Sequence, residues 1–178
     1  MQSRSTLLAF TIVALLTLFG GCAARDPVAR ARMHPGFAGR PAGQRESAST
    51  GRVRDGMSAE AVRVAWGDPT VIYHGRAQGR ALEAWVYLRP MPSKPGPEFG
   101  RFPAVYDAAR RDFLTAYYRE GRFDNRPGAV VSRFCPGAIF YPGPVPPSLE
   151  QEQPILDRQA VFENGRVVRH ASVDSTGP

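Results

Sequence analysis

Lysine is almost absent from this chain: Lys94 is the single one among 23 basic residues, and the other basic residues are arginine. The net charge of +7 is spread thinly, with no block of five or six like charges, which argues against a basic arm of the kind that grips nucleic acid. What remains is a weak attraction to anionic lipid headgroups or acidic partners, or simply a solvated basic surface. Cysteine is equally scarce, with only Cys22 and Cys135, so no disulfide framework can organise the fold. The three histidines, His34, His74 and His170, lack the spacing of a metal site. No Gly-rich phosphate loop follows a strand, and no paired carboxylates stand out. The longest apolar or neutral run, Leu7 to Phe19, has 13 residues, short of the roughly 20 that a membrane-spanning helix needs.

That run, behind Arg4, has the dimensions of a signal-peptide core. It ends in "LFGGC", where Gly20 and Gly21 precede Cys22 and Phe19 stands where Leu is usual; the arrangement resembles the lipobox of bacterial lipoproteins. The resemblance implies a signal peptide over 1–21, cleavage before Cys22, and covalent diacylglycerol and fatty acyl (palmitate) on that cysteine as the only attached groups, with no cofactor. Ala23 rather than Asp follows the cysteine, which in the bacterial sorting pattern implies the periplasmic face of the outer membrane. The alternative is a plain secretory peptide with an incidental cysteine. Either route leads away from nucleic acid and leaves 157 residues (178 minus 21), enough for one domain.

Residues 22–50 are mostly Ala, Gly, Pro, Arg and Ser with Phe37 as the lone aromatic, and they read as a flexible tether. A domain is expected over 51–178. "GMSAEAVRVAWGDP" is its first element: Ser58 can cap a helix, Met57 can staple onto Val62, and Glu60 sits in the first turn. Ala61, Val62, Ala65 and Trp66 share one side of it. Gly67 offers a left-handed stop and Pro69 prevents resumption. "TVIYH" and "ALEAWVYLR" read as strands around a turn-rich "GRAQGR". Near the end, Asn164-Gly165 predicts a two-residue hairpin turn pairing Glu163 with Arg166, Phe162 with Val167 and Val161 with Val168. Between these lies an insertion at about 89–156. It holds a Pro-rich loop, an expected helix over "AVYDAARRDFLTAYYREG", and two short strands around Pro136-Gly137, the second ended by Pro142 and Pro144.

Gly56-Met57-Ser58, Trp66-Gly67-Asp68-Pro69, Trp85-Val86-Tyr87 and Phe162-Glu163-Asn164-Gly165-Arg166-Val167, in that order behind a lipobox, give the chain its resemblance to the SmpA/OmlA (BamE-like) outer-membrane lipoproteins. The resemblance covers roughly 51–88 and 157–173 and departs from the family's compact pattern in the long insertion. It implies an α+β fold, a short N-terminal helix region packed on an antiparallel sheet, here with an inserted helix and strands. It also implies a non-catalytic module that binds envelope proteins, in the best-known members supporting the machinery that inserts β-barrels into the outer membrane. Fold shared with a family argues function only by analogy.

Two candidate surfaces and one candidate nucleophile follow. Trp85 and Tyr87 lie on one strand face and, if exposed, form an aromatic patch suited to a protein partner; the alternative is that they are core. Tyr117, Tyr118, Phe140 and Tyr141 near Arg119, Arg122 and Arg133 offer a second surface, or a cover for the sheet. Cys135 with His74 or His170 is the one nucleophile-and-base combination available to a periplasmic enzyme, against a small buried hydrophobe beside Pro136. A lipid- or peptidoglycan-binding role through the arginines is the remaining alternative.

Overall fold

The computed structural model describes residues 26–91, 104–114, 117–119, 122–124, 126–144, 149 and 153–172. Cys22, the signal peptide and most of the Pro-rich loop lie outside them. The chain divides into two compact units, one of residues 26–53 with Glu60–Gly67, the other of Arg54–Ala59 with residues 68–172. The fold class is α+β, with N-terminal helices and a five-stranded antiparallel sheet.

The first unit holds α1 (Pro27–Met33), a 3-10 turn (Pro35–Gly39), α2 (Ala42–Ser49) and all but the first residue of α3 (Ala59–Trp66). The tether reading is corrected here for the residues described. Asp26 caps α1, its Oδ1 accepting from the Val28 N–H at 2.9 Å, and Pro27 takes the first helical position, where a missing N–H costs nothing. Arg30 is buried and donates from Nε to the Val64 carbonyl at 2.8 Å and from Nη2 to the Ala65 carbonyl at 2.7 Å. It thus satisfies carbonyls that the end of α3 leaves without intrahelical partners. Phe37 and Ala48 are buried, Arg40 grips the Glu60 carboxylate at 2.8 Å, and Trp66 Nε1 donates to the Gly51 carbonyl at 3.0 Å. Composition misjudged this segment because it does not count charge-assisted hydrogen bonds, which here act beside the buried Phe37 and Ala48. Gly67 ends α3 as expected, at φ +87° with its N–H returned to the Arg63 carbonyl.

The second unit is built on β1 (Val71–Ala77), β2 (Arg80–Arg89), β7 (Ile139–Pro142), β8 (Ile155–Glu163) and β9 (Arg166–Ser172), in the spatial order β7-β1-β2-β8-β9 with every pairing antiparallel. Both tight hairpins place two residues at positive φ, Gln78-Gly79 and Asn164-Gly165, matching the twist of their strands. The expected pairs Glu163 with Arg166 and Phe162 with Val167 form. Val161, however, pairs with Arg169 instead of Val168, because a bulge intervenes and leaves Val168 exposed. The slip resolves the two-faced apolar pattern by expelling one valine.

The insertion covers one face of this sheet. Tyr106, Val130, Val131, Phe140 and Leu149 pack with Tyr73, Ala84, Val86 and Val161 in a single apolar core. The expected helix over 104–121 does not form across its described residues: β3 (Tyr106–Asp107) and β4 (Asp112–Phe113) make a small hairpin. Asp107 Oδ1 accepts from the Ala109 and Arg110 N–H groups, and Arg111 turns back at φ +57°, so a side chain captures the donors that a helix would need. The Tyr106 and Phe113 rings meet edge to face at 5.3 Å. β5 (Tyr117–Arg119) and β6 (Arg122–Asp124) form a second two-stranded ribbon. The first of the two short strands expected around Pro136-Gly137 is instead one helical turn, α4 (Ala129–Ser132); the second is β7, ending at Pro142.

Candidate functional site

The residues of the Gly56-Met57-Ser58 motif lie along the outer edge of β9. The Gly56 N–H donates to the Val167 carbonyl at 2.7 Å, the Val167 N–H to the Met57 carbonyl at 2.9 Å, and the Ala59 N–H to the Gly165 carbonyl at 3.1 Å. Ser58 bridges Arg166, whose Nη1 donates to the Gly56 carbonyl. Gly56 makes its entry at φ +81°, a conformation that any side chain would strain. Two motifs separated by more than a hundred residues in sequence therefore share one backbone ladder, and Met57, Phe162 and Val167 are all buried. The ladder also shields an edge that would otherwise be open to pairing.

Trp85 and Tyr87 are not an exposed patch. Both are buried, and the Trp85 ring lies 4.6 Å from Phe162, while its indole N–H donates to the Glu83 carboxylate. β2 is the central strand and is buried on both faces, since Ala84 and Val86 are fully covered as well. Alternation cannot label an exposed face when both alternating sets are interior. Among the described residues, the large apolar side chains that reach solvent on the strands are Ile139, Tyr141 and Val168. Of the second candidate surface, Phe140 is in the core and Tyr141 is exposed.

Cys135 is half-buried and free. Burial pushes its thiol above the ordinary value, against the pull of Arg169 and Arg80, while Glu163 adds to the rise. A thiol held protonated in this way is a poor nucleophile. The two strand histidines face carboxylates, His74 3.9 Å from Glu83 and His170 3.0 Å from Asp55. Among the described residues no group of three His, Cys, Asp or Glu is placed to hold a metal ion, and no helix is long and apolar enough to cross a membrane.

Sequence reasoning missed a polar pin beneath the insertion. Asp112 accepts from the Tyr73 hydroxyl at 3.1 Å through Oδ1 and from the Gly128 N–H at 2.7 Å through Oδ2. Tyr73 and Tyr106 are both buried. Burial first, and the Asp112 charge second, raise both phenols, Tyr106 to about 12. The pin ties β1, the β3–β4 hairpin and the turn before α4 into one body. Its only sequence signal is Gly128 after Pro127.

Comparison with known protein families finds no match. Neither curated proteins nor solved structures match the chain.

Proposed function

We propose that the protein is a lipoprotein held to the periplasmic face of the outer membrane through acyl chains on Cys22, and that it acts as a non-catalytic protein-interaction module in envelope or β-barrel assembly. The observation that carries this reading is the ladder between Gly56-Met57-Ser58 and the Asn164-Gly165 hairpin. The residues that carry the family resemblance are partners in one structural unit, as they would be if the resemblance reflects a shared fold. Trp85 on Phe162 joins a third motif to the same region. The environment of Cys135 speaks against thiol chemistry, because burial raises the thiol despite the pull of Arg169 and Arg80.

The test of the anchor is the mass of the N-terminal peptide together with membrane fractionation. Acyl mass on Cys22, and release of a Cys22→Ser variant from the outer-membrane fraction, are expected. A Cys22 peptide of unmodified mass in a chain still processed at the signal peptide would refute the anchor. For the non-catalytic role, Cys135→Ser is expected to leave the phenotype of the intact gene unchanged; its loss in a folded variant would favour an enzyme.

A further inference from the structure

The sheet face opposite the insertion is bare over two strands. Tyr73 and Phe140 belong to the apolar core beneath the insertion, so strand alternation puts His74 and Arg76 of β1, with Ile139 and Tyr141 of β7, on the other side. There Tyr141 stands directly across from His74, and Ile139 from Arg76. All four are exposed, Tyr141 59% and Ile139 45%. Trp85, Ala160 and Phe162 share that face through the pairings of β1 with β2 and β2 with β8, and they are buried. Edge strands are commonly protected by charged side chains, whereas β7 presents two large apolar ones.

The uncompensated charge on this face is basic. Glu83, across from His74, is turned to its own neighbours: its carboxylate accepts from the Trp85 indole N–H and lies 3.9 Å from the His74 ring nitrogen. Arg76 sits between Ile139 on one side and Ala81 on the other and has no ion pair among the described residues. An open guanidinium beside an exposed tyrosine has the composition of a protein hot spot, and it is complementary to a carboxylate.

The edge of β7 offers a poorer contact than its face. The Gly143 N–H donates to the Ile72 carbonyl at 2.7 Å, and the alternation of an antiparallel ladder then turns the backbone groups of Phe140 and Pro142 outward. Pro142 has no N–H to give, and Gly128 packs directly on the Phe140 carbonyl. An added strand finds no continuous ladder there, so a partner meets side chains.

We propose that the bare face of β1 and β7 docks an acidic segment of an envelope protein, with Tyr141 and Ile139 against its apolar side chains and Arg76 at one of its carboxylates. This surface rests on the binding role proposed above and gives that role a place and a partner chemistry. Four side chains make a small contact, of the weak and transient class.

The test places the photoreactive residue benzoylphenylalanine at Tyr141, at Ile139 or, away from the patch, at Val168 in the full-length chain within its own membranes, and sequences the cross-linked peptides by mass spectrometry. All three positions are exposed, so the fold tolerates the probe. Tyr141 and Ile139 are expected to capture one envelope protein, through a segment with Asp or Glu within a few residues of the attachment point. Arg76→Glu should lower the yield from Tyr141 about ten-fold. Arg45→Glu makes the same charge change at an exposed position of α2 and should leave the yield within about two-fold, because a distant charge is screened. Adducts from Tyr141 with lipid alone or with a second copy of the chain alone, a captured segment without acidic residues, or equal losses in the two arginine variants would overturn the proposal. An envelope protein captured from Val168 but from neither Tyr141 nor Ile139 would overturn this surface and leave the binding role standing. No protein adduct from any of the three positions would count against both.

Discussion

Replacing Gly128 with alanine should detach the insertion from the sheet. Gly128 sits at φ +68°, and a Cβ built there would lie 2.2 Å from the Phe140 carbonyl oxygen and 2.8 Å from its carbonyl carbon. Both atoms belong to the backbone of β7, so no rotamer change can relieve the contact. Left-handed backbone costs a non-glycine residue about 1–2 kcal/mol. Moving the turn away from β7 also lengthens the 2.7 Å hydrogen bond from the Gly128 N–H to Asp112, worth about 1.5–3 kcal/mol for a charged acceptor. The sum is about 2.5–5 kcal/mol, a large part of a small domain's stability. Gly137 provides the control, since it has φ +81° but, among the described residues, no atom within 4 Å of the place its Cβ would take; Gly137→Ala should lose only the backbone share, about 1–2 kcal/mol. Urea unfolding of the two variants, followed by tryptophan fluorescence, measures both values from the shift in midpoint. Equal losses would refute the idea that close approach of Gly128 to β7 holds the insertion in place.

Trp85→Ala should destabilise the fold by about 3–5 kcal/mol, as a large buried aromatic does, and thermal unfolding would read this; a folded variant of near-normal stability would return Trp85 to the surface. Stability should fall as pH rises from about 10 towards about 12, because the Tyr106 phenol ionises near its ordinary value of 10.0 when unfolded but only at about 12 when folded. Tyr106→Phe should lessen that alkaline loss without abolishing it, since the buried Tyr73 phenol is raised as well, and an unchanged profile in urea unfolding across this range would count against the burial of the Tyr106 phenol. Gln159 is buried on β8 with neither amide atom hydrogen-bonded among the described residues, so Gln159→Leu should gain about 1 kcal/mol by removing an unsatisfied amide; a loss of similar size in the unfolding midpoint would mean that the amide has a partner in solution.

Local signals served the sequence reading well wherever glycine or proline punctuates the chain. Gly56, Gly67, Asn164-Gly165 and Pro142 all fall where their backbone chemistry put them, because those constraints act over a few residues whatever the surroundings. The failures share a different cause. Over 104–114 helical spacing was real, yet Asp107 captured the nearby N–H groups and Tyr106 gained a buried site against Phe113, a tertiary reward that periodicity does not contain. Residues 26–50 looked too polar to fold, but Arg30 finds its carbonyl partners more than thirty positions away. The Val161 slip and the double burial of β2 depend on neighbours in the sheet. Trp85 and Tyr87 were legible as an aromatic strand face, while their burial was not.

The most direct test of the interaction role is co-purification of the full-length lipidated protein from its own membranes in mild detergent, beside the Cys22→Ser form, with mass spectrometry of the retained proteins. The account predicts enrichment of barrel-assembly or other envelope proteins that is lost with Cys22. Equal recovery of those proteins with both forms at background level, from membranes in which the wild-type chain is acylated and folded, would contradict it.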